Sequence, residues 1–267
     1  MKKQQTYLIL LFAACLSFLQ LSCSKSDDDN EFPQELKNDK PGKIEGLGNT
    51  NGELGGTKFK LPDGISHVGD LRGSEIYILD ELYSSLRSQM KQPAKMARLK
   101  SEMLAAAGSL NADTCRGSGM LVTIAMVLKN DTDQDKDVVF PPGLILKSTS
   151  GKYQNGVLLQ QCSFKIPKKS TKRIHLFLYC GNADRYGSDP DEIYEWSVIS
   201  NSKTLYDFCA LLKNKKINLE HYLSNKTTLE QYYQMQGIIQ TCLWRLTESE
   251  DGLHEMDLEL LKGLPNK

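Results

Sequence analysis

The chain has 267 residues, 33 basic and 33 acidic side chains and 40% hydrophobic content, enough for one sizeable core or two small ones. Its formal charge of zero leaves no electrostatic footprint for nucleic acid. No internal repeat runs along it, which excludes solenoids and propellers.

The N-terminus carries the clearest pattern. Lys2 and Lys3 precede an apolar run, Tyr7 to Leu21, broken only by Ser17 and Gln20. That run is shorter than the roughly 20 residues a helix needs to cross a bilayer. With small Ser22 before Cys23 it reads as a cleaved secretory signal over 1–22. The order Leu21-Ser22-Cys23 (apolar, small, cysteine) is that of a lipoprotein signal. Phe12-Ala13-Ala14-Cys15 is a rival that leaves only Tyr7 to Ala14 as the hydrophobic region. The expectation is cleavage before Cys23 and acylation of its thiol with palmitate-type chains, whose number suffices for stable anchoring. Membrane lipid held through Cys23 is thus the first expected partner.

Directly behind Cys23 comes Ser24-Lys25-Ser26-Asp27-Asp28-Asp29-Asn30-Glu31. A serine and an acidic run so close to the cysteine resemble the export signal of Bacteroidetes surface lipoproteins, carried here by Ser26, Asp27, Asp28 and Asp29. The resemblance implies a lipid-anchored protein on the outer face of the outer membrane. The alternative for the run alone is a solvated acidic tether.

Residues 23–57 read as a lipidated acidic, Gly-rich tether, with six glycines between Gly42 and Gly56. A single domain over 58–267 follows. Lys58 to Val68 reads as extended. A helical part over 72–108 opens at Ser74 as cap, with Ile76, Leu79, Leu82, Tyr83, Leu86 and Met90 on one stripe. Pro93 ends that stripe, and Met96, Leu99 and Met103 form a second. The block 118–200 is strand-rich: Leu121–Leu128, Val138–Phe140, Leu144–Leu146, Val157–Leu159, Cys162–Ile166, Ile174–Tyr179 and Tyr194–Ile199 are β-branched or aromatic runs between turn residues. The end, 203–262, is helical: Leu205 to Leu212, a long helix opened by Thr227-Thr228-Leu229-Glu230, and a last short one formed by Met256, Leu260 and Leu261 and closed by Gly263 and Pro265. The expected fold class is α+β, an antiparallel β-sandwich-like block flanked by N-terminal and C-terminal helices.

No motif for a metal, cofactor or catalytic set stands out, so none is assigned. Asp131, Asp133, Asp135 and Asp137 alternate like the start of a calcium loop, but Lys136 and Pro142 occupy the Gly and Glu positions; a polar turn is the simpler reading. His254-Glu255 lacks a second histidine, since Leu258 stands in its place. Gly117-Ser118-Gly119 is not a nucleophile elbow. The five cysteines beyond Cys23 (Cys115, Cys162, Cys180, Cys209 and Cys242) show no zinc spacing and an odd count; bridges and buried thiols are both open. Lys165, Lys168, Lys169, Lys172 and Arg173 flank a turn. Asp189, Asp191 and Glu192 are carboxylates a glycosidase could use, although loop acids of this kind are common.

Tyr179-Cys180-Gly181-Asn182 at a strand end and Gln240 four residues before Trp244 on a helix resemble, faintly, the two signatures of thioester-domain adhesins. The resemblance implies an internal Cys180–Gln240 thioester, open to a host amine. Gly181 and the short Cys180–Gln240 separation depart from that pattern. The functional expectation is therefore a surface-exposed lipoprotein acting as a non-enzymatic binding module for an unknown protein or glycan ligand. A covalent adhesin and an enzyme such as a glycosidase are the alternatives.

Overall fold

The computed structural model describes residues 33, 35–74, 113–223 and 226–267, side chains of 226–230 excepted. The expected signal peptide over 1–22, Cys23, the Ser26–Asp29 run and the helical stripes expected after Ser74 lie outside these residues.

Six antiparallel strands close into a barrel. They are β2 (Ile65–Gly73), β4 (Val122–Asn130), β6 (Leu144–Ser148), β7 (Gly156–Val157), β9 (Ser170–Cys180) and β10 (Ile193–Ser200). Around the ring the order is β10-β2-β4-β9-β7-β6, and β6 returns to β10. Tyr194 makes the closure, pairing Leu71 of β2 on one side and Ser148 of β6 on the other. Two short strands append to the ring: β1 (Gly56–Lys58) on the end of β10, and β3 (Cys115–Gly117) running parallel to β9. The remaining pair, β5 (Lys136–Phe140) and β8 (Cys162–Ile166), forms a separate two-stranded sheet.

The expected α+β sandwich is therefore corrected: the described residues form a strand-dominated closed barrel with three α-helices. The strands stand close to where the sequence puts them. A sandwich and a barrel share the same inward–outward alternation along each strand, so the pattern cannot distinguish them. The difference lies in β10, which pairs on both edges and leaves no open face-to-face gap.

Residue alternation in β9 defines two cores. Ile174, Leu176, Leu178 and Cys180 join the barrel interior with Val122, Ile124, Met126 and Leu128 of β4, while Phe177 and Tyr179 face outward into a cluster made with the helices. A strand buried on both faces reads as a continuous apolar run, as 174–180 does. The β5–β8 sheet adds Val138, Phe140, Phe164 and Ile166 to the interior cluster. Phe140 stacks on Trp196 at 5.6 Å between ring centroids, with Phe59 beside both.

Helix α1 (Lys203–Leu212) starts at Ser202, whose hydroxyl accepts the Leu205 N–H at 3.1 Å, and it buries Leu205, Phe208, Cys209 and Leu212. Helix α2 (Lys226–Glu248) lays Tyr232, Met235, Ile239, Cys242 and Leu243 on the outer barrel face. A 3-10 turn, Leu219–His221, links the two. Helix α3 (Glu255–Lys262) is capped by reciprocal bonds between His254 and Asp257. Of its apolar residues Leu261 is buried, while Met256 and Leu260 are exposed.

The expected tether is shorter than 23–57. Ile44 and Leu47 are buried in the outer cluster. Gly42 N–H donates to Leu246 O, Gly48 N–H to Gly181 O, and Lys37 bridges to Ser202. Composition hides this docking because two apolar side chains among many glycines carry it. Gly48 has φ +60, and an added Cβ would lie 1.9 Å from Thr247 O, so the glycine permits the close backbone approach.

Candidate functional site

Cys180 and Gln240 meet, although the sequence separates them widely. The Gln240 carboxamide accepts the Cys180 N–H at 2.9 Å and donates to the Cys180 carbonyl at 3.0 Å. Helix α2 thus extends the hydrogen-bonding edge of β9 with a side chain. Cys180 itself belongs to the barrel-interior cluster, and Trp244, half-buried, packs against that same cluster. Both hydrogen bonds between the two residues run to the Cys180 main chain. A carboxamide that pairs an entire peptide group satisfies two buried polar groups at once.

Cys115, Cys162, Cys209 and Cys242 are buried thiols in no disulfide. Burial pushes Cys209 and Cys242 up to about 12, so both are protonated small hydrophobes. No group of three or more His, Cys, Asp or Glu residues positioned to hold a metal ion occurs among the described residues.

The aspartate series and the basic turn prove to be one surface. The β4–β5 connection is a crossover between sheets rather than the expected hairpin turn, since β5 pairs with β8. Asn130 organises it, accepting from Thr132 and donating to Gln134 O and Ile166 O. Lys169 Nζ donates to Asp131 O at 2.8 Å and lies 3.3 Å from Asp133, while Lys168 N–H donates to Asp135. One ion pair, Lys169 with Asp133, and one hydrogen bond, Lys168 N–H to Asp135, thus tie the two opposite-sign runs together.

Gly117-Ser118-Gly119 has a packing role. Gly119 has φ +117 and its Cβ position would fall 2.1 Å from Leu178 O; its carbonyl accepts the Tyr232 hydroxyl at 3.0 Å. His175 in β9 contacts Ser74 Oγ through Nδ1 at 2.8 Å. Burial, and then Arg173, lower its pKa, so it is neutral at pH 7. Glu220 is half-buried, and Asn218 Nδ2 donates to it; desolvation raises its pKa against the opposing pull of Arg116 and Asn218.

The loop acids separate into two roles. Glu192 is a structural carboxylate: Ser148 Oγ donates to it at 2.5 Å and Ser150 N–H at 3.0 Å. Burial works to raise its pKa, but these hydrogen bonds outweigh it and the net shift is downward. Asp189 accepts the Asp191 N–H, and Asp191 is exposed.

Beside these acids stands an aromatic pair. Tyr186 is 75% exposed, the largest exposure among the large hydrophobic side chains described. Its ring centroid lies 6.2 Å from that of Tyr153, the planes inclined at 56°. The pair is held rigidly: Gln154 N–H donates to Tyr186 O, Tyr186 N–H to Lys152 O, and Gln154 Nε2 to Arg185 O. Desolvation, followed by the charges of Asp189, Glu192 and Asp191, raises the Tyr153 pKa. Sequence reading missed both tyrosines. Their only signal was an aromatic residue in each of two polar loops, where packing has no use for one.

Two grooves flank α1. One, of about 500 Å³, is lined by Leu159, Gln160, Tyr206, Cys209, Lys213 and Lys267. The other, of about 310 Å³, is lined by Asp39, Lys203, Phe208, Leu211, Leu246 and Leu253. The first groove carries Lys213 and Lys267 and no acidic side chain in its lining; the second carries Asp39 and Asp207, of which Asp39 accepts the Thr204 N–H and Asp207 accepts Lys203 Nζ. No helix among the described residues is long and apolar enough to cross a membrane.

Fold and site together define a class: a small closed barrel, packed solid with apolar side chains and braced on one side by helices. Comparison with family models, with curated proteins and with solved structures returns no match for this chain.

Proposed function

We propose that the chain is a lipid-anchored, surface-displayed recognition module, held through Cys23, that binds a ligand without transforming it. The observation that carries this reading is the Tyr153–Tyr186 pair, one ring half-buried and the other exposed, set beside a barrel with a filled interior. Burying an exposed aromatic ring against a ligand is the ordinary source of binding energy at a recognition surface. The buried and half-buried titratable groups have structural duties: Glu192 ties two loops, Glu220 accepts from Asn218 Nδ2, and Asp257 caps α3. The glycosidase alternative would need two free carboxylates facing one cleft, and Glu192 is already bound by Ser148 and Ser150. The covalent-adhesin alternative would need the Gln240 carboxamide turned to the Cys180 thiol rather than spanning the Cys180 peptide.

The test uses the mature chain with Cys23→Ser, immobilised and presented with arrayed glycans and peptides. A ligand retained and recovered at unchanged mass, and lost with Tyr186→Ala, supports recognition. A ligand recovered cleaved or chemically altered overturns it.

A further inference from the structure

We propose that the Tyr153–Tyr186 pair, with Asp189 and Asp191 beside it, is a receptor for an organic ammonium group. The inference deepens the recognition reading and rests on it. Two ring faces inclined at 56° and 6.2 Å apart form an open notch in which a compact cation can touch both π surfaces. A positive charge over a tyrosine face is drawn by the ring quadrupole within about 6 Å of the centroid.

The electrostatic setting selects the sign of the ligand. The charged groups that act on the Tyr153 hydroxyl, Asp189, Glu192 and Asp191, are all acids. Glu192 is consumed by Ser148 and Ser150, so Asp189 and Asp191 supply the remaining negative field. Lys152 and Arg185 adjoin the two rings in sequence but are not among the charges acting on the Tyr153 hydroxyl, and Arg72 is occupied by Asp70 at 2.6 Å and by the Pro190 carbonyl. An anion would meet repulsion here, and a neutral ligand would leave the carboxylates unused. A fully methylated ammonium suits the pair best, because it offers charge with an apolar shell and has no N–H that needs an acceptor.

Rigidity favours the same conclusion. The Lys152–Gln154 and Arg185–Tyr186 segments are pinned by three hydrogen bonds, so the rings are positioned before the ligand arrives. A preformed notch avoids the ordering cost that weakens small-ligand binding.

Titration of the tyrosine ring NMR signals tests this on the Cys23→Ser chain, with choline, N-trimethyl-lysine amide, unmethylated lysine amide and the neutral carbon isostere of choline. Choline or trimethyl-lysine should bind at least about threefold tighter than the neutral isostere. The stronger of the two identifies the source, headgroup or side chain. Tyr186→Phe should keep the affinity, Tyr186→Ala should lose it, and Asp189→Asn with Asp191→Asn should weaken it and flatten its salt dependence. Equal binding of choline and its neutral isostere, or indifference to Tyr186→Ala, overturns the inference. Array ligands that depend on Tyr186 but are neutral would overturn it too, while leaving the recognition reading intact.

Discussion

Gln240 closes both hydrogen bonds of the Cys180 peptide, so a helix side chain substitutes for a strand neighbour at the end of β9. The relationship assigns unequal roles to two residues that a covalent bond would make equal partners.

Gln240→Ala should destabilise the fold by about 2–4 kcal/mol, since it leaves a buried N–H and a buried carbonyl unpaired. Cys180→Ala keeps both bonds and should cost only about 1–2 kcal/mol for a small void. Urea unfolding of the two variants checks the order. Equal losses, together with a wild-type mass short by one ammonia, would instead mark a thioester.

Leu47→Ala separates a docked segment from a tether. Leu47 is fully buried in the outer cluster, and its truncation should cost about 2–5 kcal/mol in thermal or chemical unfolding. Substitution in a solvated linker would change stability by less than about 0.5 kcal/mol.

His175 gives a pH dependence of definite sign. Its folded pKa is lowered from 6.5, so the unfolded chain takes up its proton first as pH falls. Stability from keeping the ring neutral is complete above 6.5 and is lost as pH drops from there through the lower folded value. His175→Asn should therefore show a shallower fall in unfolding midpoint between neutral and mildly acid pH than the wild type. Parallel falls in the two proteins would assign the acid sensitivity to other groups.

Much of the secondary structure was legible, and the reasons are local. The run Ile174–Tyr179 announces β9 because alternate residues face two different cores, and Leu205 to Leu212 announces α1 because its apolar spacing is helical. Closure was not legible: it depends on Tyr194 pairing with both Leu71 and Ser148, a long-range choice that leaves the alternation of β10 unchanged. The docked segment 37–57 was hidden by its glycines, whose positive φ values serve close approach rather than flexibility. Cys180 and Gln240 were singled out by the sequence and do meet, with the Gln240 carboxamide on the Cys180 main chain. Tyr153 and Tyr186 were invisible because an exposed aromatic residue has meaning only when a second ring is known to stand beside it.

Surface display is the central claim that one measurement reaches most directly: protease shaving of intact cells making the full precursor. The account expects the wild-type barrel to be released without permeabilising the outer membrane. It expects the variant with Asp27, Asp28 and Asp29 replaced by alanine to remain acylated at Cys23 but shielded. Equal protection of the wild type and the variant until the membrane is opened would contradict it.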